Sequence, residues 1–240
     1  IGLSLLNGCA ENVIEGNHLY DLGGGGITAG AIRNRDTWQW ADPLDKDDHK
    51  NYRIANNHIH DCGIDYYDAV GILVWMTQET VVAHNLIHDI AHTGIYTRHW
   101  ATERQKIERR NQEQELIIEY NEIHDVMKNS NDGGGIFVRD SNIVIRNNLI
   151  YNVKSFGRGT PGWGIYLGCE TRDTKVFNNI VYRVTEGLHI WHGNRNNTIE
   201  NNIFVDGDIS LVKSNNPKNR KHDNVVISRN IFCYYRRDID

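Results

Sequence analysis

The stretch IIEYNEIHD, residues 117–125, recurs along the chain in eight versions that share one pattern. Each version has a central asparagine, a β-branched residue three positions before it and an apolar residue two positions after it. The other seven versions are VIEGNHLYD (13–21), RIANNHIHD (53–61), VVAHNLIHD (81–89), VIRNNLIYN (144–152), KVFNNIVYR (175–183), TIENNIFVD (198–206) and VISRNIFCY (226–234). Agreement at three positions in every version indicates an internal structural repeat.

The spacing of this repeat predicts a solenoid of about eight coils. The interval between successive central asparagines varies from 23 residues (Asn179 to Asn202) to 40 residues (Asn17 to Asn57), unlike that of helical repeats of fixed length. Short strands rich in β-branched residues bury one face, and coils stacked ~4.8 Å apart build one continuous core. An asparagine at each bend can hydrogen-bond to the asparagines above and below it. We therefore predict an all-β fold, a right-handed parallel β-helix.

A second recurring phrase, a glycine followed by an aliphatic residue, predicts a further strand in each coil. It occurs at Gly26, Gly71, Gly94, Gly135, Gly164 and Gly187, where glycine fits a tight corner. Two segments near 30–50 and 98–115 interrupt the rhythm, and we interpret them as insertions that form walls over one face. Residues 1–240 are predicted to form a single β-helix domain, and we expect it to be part of a longer chain.

The composition argues against several classes of protein. The net charge is −5 and the pI is near 6.2, so no general basic field favours a nucleic acid or an anionic membrane as partner. No apolar run approaches the roughly 20 residues that a membrane span needs. The four cysteines stand far apart without a C-x-x-C pair, which argues against a cysteine zinc site.

Three histidines, His60, His88 and His124, occupy one position of the repeat, and each is followed by an aspartate. Such a set has the composition of a metal site. The same position holds tyrosine in other coils, however, at Tyr20, Tyr151 and Tyr182. We therefore interpret the column as a stacked structural ladder and predict no metal site.

The strand after each glycine phrase changes its residues from coil to coil, whereas a structural ladder would repeat one residue type. Aromatic, cationic and acidic side chains collect there, namely Trp75, His99, Trp100, Arg139, Asp140, Glu170, Trp191 and His192. Asp68 and Asp132 stand shortly before these strands and are therefore expected at their other end. Trp163 is a further aromatic residue of this set. Three glycines after Asp132 are expected to leave room for a ligand. Carboxylates beside tryptophans favour carbohydrate chemistry, because a pair of carboxyl groups can hydrolyse a glycosidic bond.

Four phrases resemble the right-handed β-helix enzymes of glycoside hydrolase family 141, namely SNDGGGIFVRD (130–140), NNHIHDCGIDYYDAVGI (56–72), HNLIHDIAHTGI (84–95) and GWGIYLG (162–168). The resemblance covers nearly the whole chain and implies a carbohydrate-active enzyme of bacteria, secreted or periplasmic, with α-L-fucosidase or xylanase activity in the family. It implies that Asp132 is catalytic. The family has Asp-Glu directly after the Gly-Ile-Tyr-Leu strand, whereas Gly168 and Cys169 stand here. The second carboxylate is then Glu170 or Asp173, or the site has been lost.

The leading hypothesis is a monomeric glycoside hydrolase that acts on a plant or microbial polysaccharide without a cofactor. Asp132 and Glu170 would form the acid–base pair, with Asp140 in support. The residues assigned to substrate binding are Asp68, Trp75, His99, Trp100, Arg139, Trp163, Trp191 and His192.

Two other functions remain open on this fold. A polysaccharide lyase or uronate epimerase needs a base and a cation to neutralise the uronate carboxylate. Arg98, Arg139 and His99 could provide these groups, with Ca²⁺ bound by Asp132 and Asp68. A solenoid that binds glycans without cutting them is the other alternative.

Overall fold

A computed structural model describes residues 1–6, 9–30, 49–98, 115–155, 162–206, 208–211 and 221–234. The regular structure in these ranges consists of strands, and they contain no helix that could cross a membrane. Most of both predicted insertions, together with His99 and Trp100, lies outside the described residues.

Three parallel sheets of eight strands each form the described structure. The first sheet contains β1 (Leu3–Leu6), β4 (Ile27–Gly30), β7 (Ile72–Trp75), β10 (Ile95–Arg98), β13 (Gly133–Arg139), β16 (Gly162–Leu167), β19 (Glu186–Ile190) and β22 (Asp208–Leu211). The second sheet contains β2 (Val13–Glu15), β5 (Arg53–Ala55), β8 (Thr80–Ala83), β11 (Leu116–Glu119), β14 (Ile143–Arg146), β17 (Lys175–Phe177), β20 (Thr198–Glu200) and β23 (Val226–Ser228). The third sheet contains β3 (His18–Leu19), β6 (His58–Cys62), β9 (Leu86–Ile90), β12 (Glu122–Val126), β15 (Leu149–Val153), β18 (Ile180–Val184), β21 (Ile203–Val205) and β24 (Ile231–Cys233). Each coil adds one strand to each sheet in turn, which confirms the predicted solenoid of eight coils.

Aliphatic columns fill the interior of the solenoid. In the second sheet Ile54, Val82, Ile118 and Ile145 follow one another in register, and each has no exposed surface. The first residue after each recurring glycine forms a similar column, with Ile72, Ile95 and Ile136 in register. Like side chains on neighbouring coils pack with matching shapes, so the repeat in the sequence becomes a continuous core.

The central asparagines form a buried ladder between the second and third sheets, as predicted. Asn121 is representative, since its Nδ2 donates to Asn148 Oδ1 at 3.0 Å and to the Val82 carbonyl at 2.9 Å. Its Oδ1 accepts from the backbone N and from Nδ2 of Asn85. The ladder satisfies buried polar groups at every bend, where the β-sheet pattern leaves the backbone without partners.

The predicted histidine and tyrosine ladder is also confirmed. Successive rings of Tyr20, His60, His88, His124, Tyr151 and Tyr182 stack with centroids 4.6–5.4 Å apart and planes within 11° of parallel. Each of the three histidines bonds through Nδ1 to the carboxylate of the aspartate that follows it, at 2.7–2.8 Å. This column therefore lies on the outer surface of the third sheet.

The glycines after Asp132 have a packing role, contrary to the prediction that they leave room for a ligand. A Cβ on Gly133 would lie 2.4 Å from Thr93 Oγ1, and one on Gly134 would lie 2.3 Å from the Trp163 carbonyl oxygen. A Cβ on Gly135 would lie 2.5 Å from Ile150 Cγ2. Neighbouring chain therefore already fills the space beside these three residues.

Candidate functional site

An aromatic surface covers the outside of the first sheet from β10 to β19. We call it the aromatic face and define it by Tyr96, Phe137, Trp163, Tyr166, His189 and Trp191. Tyr96, Phe137, Tyr166 and His189 occupy one register column, and the Phe137 and Tyr166 rings stack with centroids 4.1 Å apart. The rings of Phe137, Trp163 and Tyr166 form a cluster separate from the interior core, with Tyr96 and Trp191 packed against it.

A carboxylate lies within this face. Glu186 begins β19 next to Trp163 in register, and its Oε2 accepts a hydrogen bond from Trp163 Nε1 at 2.8 Å. The same oxygen is 3.0 Å from Nδ1 of His189. Because a carboxylate only accepts, Nδ1 carries the hydrogen and Nε2 is the basic nitrogen of the neutral ring. Burial lowers the pKa of His189, while Glu186 and Asp132 act in the opposite direction.

Asp132 lies at the entrance to β13, exposed and in the left-handed region with φ of 61°. Burial raises the pKa of the Tyr166 hydroxyl, and the charge of Asp132 raises it further. The same carboxylate also acts on His189. The Asp132 carboxylate thus lies at the end of the sheet from which its charge acts on Tyr166 and His189 of the two following coils.

Asp68 belongs to the same end of the sheet as Asp132. Burial lowers the pKa of His92, and the charges of Asp68 and Asp132 oppose this shift. Both carboxylates thus act on one imidazole, as expected from their positions before the recurring glycines.

The opposite end of these strands holds Arg139, Asp140, Glu170 and His192. Arg98 and Arg139 are register neighbours, and a Cβ on Gly168 would lie 2.4 Å from Cγ of Arg139. The side chain of Arg139 thus packs directly against Gly168. Asp140 Oδ1 accepts from the backbone N of Ser141 at 2.7 Å.

The environment of Cys169 does not activate its thiol as a nucleophile. Its Sγ lies 3.5 Å from Nε2 of His192, but burial raises the pKa of the thiol. A nucleophilic cysteine needs its pKa lowered, so the geometry does not favour cysteine catalysis.

The predicted acid–base pair of Asp132 and Glu170 is wrong on geometric grounds. Asp132 precedes and Asp140 follows the seven-residue strand β13. Glu170 lies at the end occupied by Asp140, because Arg172 pairs with Ser141. At ~3.3 Å per residue the two ends are roughly 20 Å or more apart, whereas paired glycosidase carboxyl groups lie within about 9.5 Å of each other.

The predicted tryptophans differ in the surface that they offer. Trp163 is 3% exposed and Trp75 is 8% exposed, and the Arg98 guanidinium lies 5.3 Å from the centroid of the Trp75 ring. Little of either ring remains to face a sugar, whereas Trp191 is partly exposed. The Trp163 ring instead donates a hydrogen bond to Glu186.

Sequence reasoning missed Glu186, His189 and Tyr166. Glu186 directly precedes the recurring glycine at position 187, and an alignment of the coils on that glycine would have placed it beside Trp163. Its importance lies in its two hydrogen-bond partners, which the alignment does not reveal.

Known proteins share this fold at low sequence identity. Three solved structures match: a glycoside hydrolase (15% identity, TM-score 0.60, covering 95% of this chain and 34% of that chain), XylC in complex with xylose (16%, 0.67, 96% and 38%), and the enzymatically active domain of tailspike protein 2 of bacteriophage CBA120 (12%, 0.63, 97% and 33%). The chain thus spans about a third of the length of each. At these identities the likeness shows the fold alone.

No curated protein sequence matches the chain. Residues 103–236, more than half of the 240, match a family model described as a right-handed β-helix region. The order of the strands and the parallel register of all three sheets agree with that description. The chain belongs to the right-handed β-helix family.

Proposed function

We propose that the protein is a carbohydrate-active enzyme, specifically a glycoside hydrolase that acts on a plant or microbial polysaccharide. The observation that carries the proposal is the contact of Glu186 with Trp163 and His189 beside the rings of the aromatic face, with Asp132 directly before β13 at the same end of the sheet. Trp163 Nε1 and His189 Nδ1 both lie at one oxygen of Glu186 and fix the position of this carboxylate, to which we assign the role of general base. Asp132 would then act as the acid, and Glu186 replaces Glu170 as its partner.

The register supports a separation suited to hydrolysis. Glu186 shares a column with Gly134 two coils away, and Asp132 precedes Gly134 by two residues. With ~4.8 Å between coils and ~3.3 Å per residue, the two backbone positions are roughly 12 Å apart. Side chains that extend toward His189 leave room for a water between the carboxyl groups, as in inverting enzymes, where they are about 6.5–9.5 Å apart.

The solved structures named as a glycoside hydrolase and as XylC with xylose support a carbohydrate substrate. Membership of glycoside hydrolase family 141, secretion from a bacterium and a monomeric, cofactor-free enzyme stay predictions. Tyr96 and Trp191, the two partly exposed rings of the aromatic face, would bind the flat faces of sugar units.

The test is a screen of the purified chain on neutral and acidic polysaccharides for new reducing ends. Asp132→Asn and Glu186→Gln should each lower the rate by about 10²–10⁴-fold, the usual contribution of general acid–base groups. Glu170→Gln is the matched control, because it removes a carboxylate at the far end of the sheet, and it should leave the rate within a few-fold. Loss of activity in Glu170→Gln together with an active Glu186→Gln would reject this assignment.

A uronate lyase or epimerase is the second candidate, favoured by the adjacent arginines Arg98 and Arg139 on the same face. Two guanidinium groups side by side could neutralise a uronate carboxylate, which makes the neighbouring proton easier to remove. An unsaturated product, detected by its ultraviolet absorbance and lost in Arg139→Gln, would favour this reading. Dependence on Ca²⁺ would implicate Asp132 and Asp68 as ligands.

A further inference from the structure

A group of histidines lies on the outer surface of the third sheet, away from the aromatic face. His18 of β3 is the register neighbour of His58 of β6, and His60 of β6 is that of His88 of β9. The two pairs form adjacent columns, since positions two apart on a strand share a face. We call His18, His58, His60 and His88 the histidine cluster.

The ring nitrogens of the cluster meet at close range. Nε2 of His18 lies 2.8 Å from Nε2 of His60, and Nε2 of His58 lies 2.8 Å from Nε2 of His88. One ligand atom from each of His18, His58 and His60 can be chosen so that all three lie within 4.8 Å of one another. A shared proton joins each pair, because one nitrogen must donate and the other must accept.

Two aspartates determine which nitrogen accepts. Oδ2 of Asp61 is 2.7 Å from Nδ1 of His60, and Oδ2 of Asp89 is 2.7 Å from Nδ1 of His88. These carboxylates keep the hydrogen on Nδ1, so that the lone pair of each ring is on Nε2. The same carboxylate–histidine arrangement orients the ligands of metal sites and raises their basicity.

The donor set selects the class of metal. The nitrogens are all imidazole, which suits Zn²⁺, Cu²⁺ or Ni²⁺, whereas Ca²⁺ and Mg²⁺ prefer oxygen ligands. Zinc binds imidazole nitrogen at about 2.0–2.1 Å, which puts tetrahedral ligands ~3.3 Å apart. The 2.8 Å contact of His18 with His60 would therefore open by roughly half an ångström, and ligand atoms as far as 4.8 Å apart would close by about 1.5 Å.

We propose that the histidine cluster binds one divalent transition-metal ion, for which Zn²⁺ is the probe, through Nε2 of His18, His58 and His60. His88 or a water completes the tetrahedron. Sequence reasoning predicted no metal because it considered only His60, His88 and His124, which form one column. The ligands come from two columns, and the ion would link the coils of β3, β6 and β9.

Zinc titration of the full chain, followed by calorimetry, tests the proposal. One equivalent should bind, and His18→Gln and His60→Gln should each weaken binding at least about tenfold, as should Asp61→Asn, since outer carboxylates contribute ~10–100-fold. His124→Gln is the matched control. His124 stacks in the same ladder and bonds to Asp125, but the residue two positions before it on β12 is Glu122, whereas His60 has His58 at that position.

Thermal unfolding gives an independent readout. Zn²⁺ should raise the midpoints of the wild type and of His124→Gln alike and that of His18→Gln by less, whereas Ca²⁺ should raise none of them. His18 is exposed at the end of its column, so His18→Gln should fold even if His60→Gln does not. Absence of saturable zinc binding, or equal affinity in wild type and His18→Gln, would overturn the proposal.

Discussion

At the scale of the residue, the side chain of Asn121 makes the hydrogen bonds that stabilise one bend. Asn121→Ala removes the acceptor for two N–H groups of Asn85 and the donor to Val82 and Asn148. Buried groups without partners cost about 1–3 kcal/mol each, so we expect a loss of ~2–4 kcal/mol in the free energy of unfolding, measured by urea denaturation.

Asn17→Ala is the control for this variant. Asn17 ends the ladder and is partly exposed, and its side chain makes one link, to Asn57 at 2.9 Å, besides a contact within its own turn. Its loss should cost about 1 kcal/mol or less. Equal effects of the two substitutions would show that the ladder does not stabilise the bends.

His92 gives the stability a dependence on pH. Burial lowers the pKa of its imidazole from 6.5, against the opposing charges of Asp68 and Asp132. The folded chain therefore binds fewer protons than the unfolded chain just below pH 6.5, and stability falls as the pH is lowered through that window.

The pH dependence can be measured by urea denaturation between pH 7.5 and pH 5, a range chosen around the usual imidazole pKa of about 6.5. His92→Gln should flatten the slope. His84→Gln, which replaces an exposed ring stacked on Tyr120, is the control. A slope unchanged by His92→Gln would assign the effect to other groups.

At the scale of the element, the glycine at the start of each first-sheet strand sets how closely the coils approach. A Cβ on Gly94 would lie 2.6 Å from Cγ2 of Ile123 and 2.7 Å from the carbonyl oxygen of Gly135. Gly94→Ala should therefore lower the free energy of unfolding by about 3 kcal/mol, the upper end for overpacking, because backbone cannot move aside.

Gly23→Ala provides the contrast. The added methyl would meet only the side chain of Asp65, which is exposed and can rotate away, so the change should remain within about 0.5 kcal/mol. Comparable losses from the two substitutions, measured by thermal or urea unfolding, would contradict a role for close coil packing.

The strands were predictable because each carries its own apolar pattern, and the bends because an asparagine marks each of them. The site was less predictable. Trp163 and Glu186 are 23 residues apart, and they meet only because one coil stacks on the next in register. The sequence already placed Asp132 at one end of a strand and Glu170 at the other end, but without distances it did not show that the length of the strand keeps the two carboxylates too far apart to act as a pair. The sequence also did not indicate which aromatic rings are buried by their neighbours, because side-chain packing decides this.

At the scale of the whole molecule, the coils differ in how well they are covered. Residues of β23 and β24 are largely exposed, whereas β13 and β16 are almost wholly buried. In a solenoid each coil contacts only its neighbours, so in the 240-residue chain a poorly covered coil can open without unfolding the rest. We expect amide hydrogen exchange to be slowest in β13 and β16 and fastest in β23 and β24.

Exchange measured by mass spectrometry on overlapping peptides checks this gradient. Protection that is uniform from β2 to β24 would mean that all coils open together and that the solenoid behaves as a single cooperative unit. Slower exchange in β3 and β6 alone on addition of zinc would indicate that a metal ion links those two coils.

The unequal intervals between the central asparagines have a consequence for how this fold evolves. Between Asn17 and Asn57 the chain takes 40 residues, and between Asn179 and Asn202 it takes 23, yet the columns stay aligned. Lengthening a connection costs only about 0.6 kcal/mol for each doubling. A lineage can therefore insert, delete or exchange connecting segments while inheriting the same columns. Mutation of the connecting segments can then change what the surface binds, while the three sheets keep their structure.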